Sequence, residues 1–246
     1  MDAADDVGQS ARVGVVRLVV RWSVRVVGAC IAASLAIVAL YHWVDPPLTP
    51  LMVIRSVQGL VAGERVGIDR RWVDLESVSP VLVRSVIAAE DARFFQHWGV
   101  DLKELQRARE YNARQRGGRI RGASTITMQC ARSTFLWPSR TWLRKAIEVW
   151  FAVLMEQLWG KRRILEVYLN VVEWAPGIYG VETAAQRSFG IPASRLDSRR
   201  AALLAAALPA PHRFDPAAPT PYLERRAATI AARARSVPLG RRGVVP

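Results

Sequence analysis

The sequence predicts a mainly α-helical chain, with one apolar helix ahead of a helical domain. Three observations carry this. Residues 26–44 are a run of 19 without a formal charge. Beyond that run, apolar residues recur at helical spacing in stretch after stretch. Alternating strand patterns are scarce, and no internal repeat is present. At 246 residues, 51% apolar and 23% charged, the chain has room for an anchor and one sizeable domain, and is neither disordered nor of low complexity.

The run at 26–44 would span roughly 28 Å as a helix, close to the thickness of a bilayer's hydrocarbon. It ends in Tyr41 and Trp43, which suit the membrane interface, and Arg12, Arg17, Arg21 and Arg25 precede it. The positive-inside rule therefore keeps residues 1–25 in the cytoplasm and sends the rest outward. A cleaved signal peptide would want a shorter apolar core and a small-residue cleavage site. An uncleaved single-pass anchor fits better. Asp45, Pro46 and Pro47 then break the helix.

Residues 45–63 read as a linker and 64–235 as the exported domain. Ser79 and Pro80 open a helical pattern, with Val83, Val86, Ile87 and Ala88 at helical spacing. The stretches 141–159 and 163–170 read as helices. The glycines at Gly177 and Gly180 interrupt, 182–189 resumes, and 199–208 makes another helix ended by Pro209. The tail at 236–246 reads as disordered.

Charge narrows the function. Thirty-five basic against 21 acidic side chains give +14, and all the basic residues but Lys103, Lys145 and Lys161 are arginine. Such a chain has an anionic partner: nucleic acid, phosphate or an acidic membrane. The stretch 103–145 alone holds eleven basic residues against Glu104 and Glu110. Two cysteines, Cys30 and Cys130, exclude a disulfide framework and a structural zinc site, and three scattered histidines argue against a His-based metal centre.

Four clusters stand out. In the first, residues 90–99, Glu90 follows an apolar turn, and burial would raise its proton affinity and improve it as a base. A helix-end acid paired with Arg93 is the plainer reading. In the second, residues 122–129, Ser124, Thr125 and Gln129 form a polar strip with Arg132 beyond, fit for sugar hydroxyls or a phosphate. A helix N-terminus capped by Ser124 would look the same. The third pairs Arg144 with Glu148 at i,i+4, beside Lys145; alone it would be a surface salt bridge. Glu156 repeats that phase and reads as structural. The fourth, residues 161–170, looks more like scaffold than chemistry.

Together these clusters resemble, in order and spacing, the motifs of the peptidoglycan glycosyltransferase family, family 51. ED-x-x-F-x-x-H-x-G matches residues 90–99, G-x-S-T-I-T-x-Q matches 122–129, R-K-x-x-E matches 144–148, and I-L-E-x-Y-L-N matches 164–170. The resemblance covers roughly residues 81–216 and is similar to the short, monofunctional biosynthetic form. A transpeptidase domain would need Ser-x-x-Lys, and Val100, Trp142 and Leu158 stand three before the lysines.

The resemblance implies a lysozyme-like helical fold with a small jaw subdomain next to the membrane. It implies polymerisation of lipid II into glycan strands with release of undecaprenyl diphosphate. Carried over by position, Glu90 resembles the general base and Glu148 the second essential carboxylate. Arg132 and Arg140 match diphosphate-binding cations; Arg93, Ser124, Thr125, Gln129, Arg144 and Lys145 line the substrate cleft. Three positions depart from the pattern: Met128 where many relatives have glutamine, Cys130 where they carry an apolar or small residue, and Ile147 where some carry a further cation.

The implied setting is the inner membrane, with the catalytic domain on its outer side. The implied partners are lipid II, the growing strand, the membrane and proteins of cell division or elongation, with no nucleic acid. No cofactor is required; a divalent cation, Mg2+ or Mn2+, has a place at the donor diphosphate without a dedicated protein site. Two rivals fit less well. A glycan-cleaving lytic transglycosylase or lysozyme-like enzyme has no use for so basic a donor region. A membrane-anchored nucleic-acid binder would want its basic face in the cytoplasm. The apolar patch Phe135, Leu136, Trp137 and Pro138 reads either as core or as a contact with the bilayer.

Overall fold

The computed structural model describes residues 2–64, 67–115, 122–139 and 141–239, with side chains from residue 16 onward. The chain divides into two compact units, Met1–Trp43 and Val44–Pro246.

The first unit is one helix, α1 (Asp2–Trp43). Its stretch Val16–Trp43 is long and apolar enough to cross a membrane. Val26, Val27, Ile31, Leu35 and Leu40 all lie exposed on it, as side chains meant for hydrocarbon would. The helix runs continuously into the arginine-bearing segment and stops one residue short of the expected Val44.

The second unit is helical, with one small sheet. Its helices are α2 (Pro50–Val61), α3 (Pro80–Glu90), α4 (Leu102–Arg114), α5 (Ile126–Phe135), α6 (Trp142–Leu158), α7 (Gly160–Val171), α8 (Val181–Phe189), α9 (Ser198–Ala207) and α10 (Pro221–Ala234). Strands β1 (Asp69–Arg70), β2 (Glu173–Ala175) and β3 (Ile178–Tyr179) lie in the order β1-β3-β2, with β1 parallel and β2 antiparallel to β3. Gly180 leaves this sheet at φ +78°, where a Cβ would stand 3.2 Å from the Asn170 carbonyl.

The segment expected to be a linker is structured. Thr49 caps α2 by accepting the Met52 amide, and Pro50 takes the first turn, where its missing N–H costs nothing. Leu51 and Met52 are buried, and α2 packs on α5. Ahead of α2, Arg70 donates to the Pro46 and Pro47 carbonyls at 2.7 and 2.8 Å. Arg163 pairs with Asp45 at 2.8 Å. The prolines end one helix and start another, so the linker reading does not hold for 50–61.

Two helix groups form the core. In one, α9 packs against both α3 and α10, and α10 against α3. Every residue of α9 from Ala201 to Ala207 is buried; five of the seven are alanine, which lets backbones approach closely. In the other, α5, α6 and α7 pack on one another. Phe135 stacks on Phe151 with centroids 4.5 Å apart and Leu136 is buried, whereas Trp137 is exposed, so the apolar patch divides between core and surface. The tail expected to be disordered falls partly outside the described residues, from 240 onward.

Candidate active site

The site lies where the two helix groups meet. Helix α3 ends at Glu90 because Asp91 leaves the helical region, at φ −159° and ψ 73°. The buried Asp91 carboxylate accepts the Ile126 amide at 3.0 Å and meets His97 Nε2 at 3.0 Å with both oxygens. The end of α3 is thereby tied to the start of α5. One turn along α5, Gln129 shares the face of Ile126 and donates from Nε2 to Glu90 Oε2 at 2.7 Å. Oε1 of Glu90 is buried, with no hydrogen-bond partner among the described residues.

Burial pushes the Glu90 carboxyl above its ordinary range. The Gln129 hydrogen bond, then the positive charges of Arg226 and Arg132, pull it back, while Asp91 adds to the rise. The result is a carboxylate with one oxygen held, one oxygen unspent and a strengthened hold on protons. Those are the properties of a general base.

Glu90, Arg93, Ser124 and Thr125 share the lining of one cavity of about 370 Å³ with Arg107 and Arg233. Arg93 is not the partner of Glu90: it pairs with Asp101 at 2.9 Å, so the plainer sequence reading of a capped acid is set aside. Thr125, not Ser124, caps α5, accepting the Met128 amide at 3.1 Å and donating to the Gly99 carbonyl. That leaves the Ser124 hydroxyl to accept Lys145 Nζ at 3.1 Å.

Lys145 bridges from Ser124 to Glu148, which it meets at 2.6 Å; Arg144 donates to the other oxygen of Glu148. Glu148 has no exposed surface and Arg144 little, so this is a buried charge network, not the surface salt bridge the spacing alone would give. Glu148 is enclosed by cations of its own helix and is not among the residues lining the cavity. Arg132 acts on Glu90 through its charge. Arg140 lies outside the described residues.

Glu156 is structural, as its spacing indicated: it accepts Thr127 and Lys161, each at 2.6 Å. Met128 and Cys130 both face the core, and burial pushes the Cys130 thiol up to about 12. Among the described residues, Asp91, His97 and Asp101 bring metal-ligating atoms within 4.8 Å of one another. Asp91 is already met by His97 and Ile126, and Asp101 by Arg93 and the Glu104 amide. The trio reads as a clamp that orders the 91–101 segment.

Sequence reasoning missed Arg226 and Arg233. Both lie on α10, whose buried Leu223, Ala227, Ile230 and Ala234 recur at helical spacing. That spacing could have revealed the helix; nothing local could have placed it beside Glu90.

A family model described as Transglycosylase matches residues 58–235. A biosynthetic peptidoglycan transglycosylase of Rhodospirillum centenum is 54% identical over 207 residues, 82% of this chain and 87% of that protein. One of Pseudomonas putida is 49% identical over 199 residues, covering 81% and 84%. One of Bdellovibrio bacteriovorus is 47% identical over 206 residues, covering 84% and 82%.

Proposed function

The chain belongs to the transglycosylase family and is a peptidoglycan glycosyltransferase, and from that premise we propose that it polymerises lipid II with Glu90 as the general base. Glu90 takes the proton from the 4-hydroxyl of the acceptor's N-acetylglucosamine. That oxygen attacks the anomeric carbon of the donor's N-acetylmuramic acid. The bond from that carbon to the diphosphate oxygen breaks, the configuration inverts from α to β, and undecaprenyl diphosphate leaves with the electron pair. One displacement needs one base and help for the leaving group, with no covalent intermediate.

The observation that supports this best is the state of Glu90. Gln129 holds one oxygen, the other is unpartnered, and burial strengthens its hold on a proton. Leaving-group charge falls to cations: Arg132 and Lys145, with Arg140 by its place in the sequence. Glu148 accepts hydrogen bonds from both Arg144 and Lys145 and so orients them. A divalent cation, Mg2+ or Mn2+, would add positive charge to offset that of the departing diphosphate. The substrate is confined to the membrane that α1 is apolar and long enough to cross, and we place the catalytic unit on its outer side.

The test is purified protein incubated with labelled lipid II. Polymer that muramidase digests is the expected product. Cleavage of preformed glycan with no polymer from lipid II would favour the lytic reading and overturn this one.

A further inference from the structure

Most of the 164–170 stretch is scaffold. Asn170 clamps the backbone of Val73 through both groups, at 2.8 and 3.0 Å, and Glu166 takes the Leu75 amide at 3.1 Å. Tyr168 points elsewhere. Its side chain is fully buried, and its hydroxyl donates to Gln129 Oε1 at 3.2 Å. Gln129 passes the chain on, from Nε2 to Glu90 Oε2 at 2.7 Å.

A glutamine amide has two near-identical ends, and only its partners decide which way it faces. Turned over, Gln129 would set an oxygen against the Glu90 carboxylate, two acceptors at hydrogen-bond distance. With the Glu90 carboxylate accepting at one end and the Tyr168 hydroxyl donating at the other, the amide is held in the orientation seen. We propose that Tyr168 is a positioning residue for the polymerisation: by fixing the Gln129 amide, it sets which oxygen of Glu90 is held and which is left for the acceptor hydroxyl. The inference rests on Glu90 being the base.

Burial keeps the Tyr168 phenol well above its ordinary range, so it remains an O–H donor at working pH. The groups acting on Glu90 are Gln129 and Arg132 from α5, Arg226 from α10 and Asp91 beside it. The Gln129 bond favours the ionised carboxylate. Loosening it leaves burial less opposed, and Glu90 should hold its proton to higher pH.

The test is Tyr168→Phe, which removes one oxygen and keeps the ring. The acid limb of its pH–rate profile on lipid II should move up by about 0.5–1 unit, the worth of one hydrogen bond. Rates should fall several-fold at low pH and converge on the parent's at high pH, with KM unchanged. Carbon-13 NMR of the Glu90 carboxyl, assigned by its loss in Glu90→Gln, should show the same upward midpoint whether or not the enzyme turns over. In a Gln129→Met background, adding Tyr168→Phe should move that midpoint no further. An unmoved midpoint, a loss of rate equal at every pH, or additive shifts in the double variant would each overturn the proposal. Should Tyr168→Phe not fold, Gln129→Met severs the chain from its other end, and a midpoint it leaves unmoved overturns the proposal equally. A parent enzyme that makes no polymer counts against the proposed function, while the titration still decides the role of Tyr168.

Discussion

Glu90 faces two opposed demands, and its neighbours show how they are met. Burial makes it reluctant to ionise; Gln129, Arg226 and Arg132 keep it usable. Glu90→Gln keeps size and hydrogen bonding but cannot accept the hydroxyl proton, so turnover should drop by about 10²–10⁴-fold. Stability should move the other way. The native carboxyl holds its proton more tightly than the unfolded one, so its contribution is fully present below the ordinary value of 4.5 and is lost as pH rises through the raised native value. Denaturation of parent and Glu90→Gln, followed from below pH 4.5 upward, should show the variant's advantage opening as pH rises. A difference that ignores pH would show that Glu90 is not perturbed by folding. Glu148 is the contrast. It has no exposed surface and answers the charges of Arg144 and Lys145. Glu148→Gln leaves two cations without a counter-charge and should cost about 3 kcal/mol, the low end for a broken buried pair because Lys145 is partly exposed. It should also weaken donor use. Arg132→Ala should cost donor use about 1.5–3 kcal/mol, the worth of a charge-assisted contact, with little change in stability. If Arg132→Ala polymerises lipid II at the parent rate, the diphosphate sits elsewhere.

At the level of elements, the site depends on how the 91–101 segment is pressed between α5 and α6. Gly99 is the pinch. Its φ is +78°, and a Cβ would meet the Ala152 carbonyl and Glu156 Cγ, each at 3.2 Å. Gly99→Ala adds backbone strain to that crowding and pushes away the carbonyl that Thr125 uses. About 1–3 kcal/mol of destabilisation is expected, with a loss of turnover through Asp91 and Glu90. A parental melting temperature with parental polymerisation would show that the segment is not held there. The same scale explains what the sequence made legible. Helices α3, α7 and α9 bury long, mostly apolar runs, which the sequence pattern marks; α6 is apolar in sequence but buries Arg144, Glu148 and Glu156 beside Ala152 and Met155, and α8 buries Glu182 and Thr183 beside Val181, Ala184 and Ala185. Helix α4 buries only Ala108 in a run rich in arginine, so it has almost no apolar stripe to read. Helix α10 has the spacing, but two of its four buried residues are alanine, which blurs the contrast. Helix α2 was hidden by prolines that break one helix and begin the next. Within the site, the motifs point to Glu90, Gln129, Ser124 and Lys145, because each lies in a short local pattern. Arg226 and Arg233 reach the site only through the packing of α10 on α3, a tertiary fact with no local signature.

For the whole molecule, the decisive question is which side of the membrane each unit occupies. Helix α1 continues without a break from the basic N-terminal segment into its apolar part, so Arg17, Arg21 and Arg25 stand on successive turns at one end. Moving them through hydrocarbon would cost about 2.5–3.5 kcal/mol each on insertion scales. At the other end the chain needs only Tyr41 and Trp43 at an interface. The proposed reaction gives the second unit a reason to sit outward. The proposed donor is a diphosphate attached to a membrane lipid, and the polymer made by a peptidoglycan glycosyltransferase belongs to the wall beyond the membrane. An alkaline phosphatase fusion after Pro50 should therefore be active, and a reporter that works only in the cytoplasm should be silent at the same joint. Replacing Arg17, Arg21 and Arg25 with neutral residues while adding lysines after Val44 should weaken or reverse that pattern, because the bias is set by basic residues near the ends of the span. A phosphatase that stays silent in the parent while the cytoplasmic reporter works would put the glutamate, the arginines and the cleft on the wrong side for a lipid-linked sugar donor. The proposed polymerisation would then fall along with the topology.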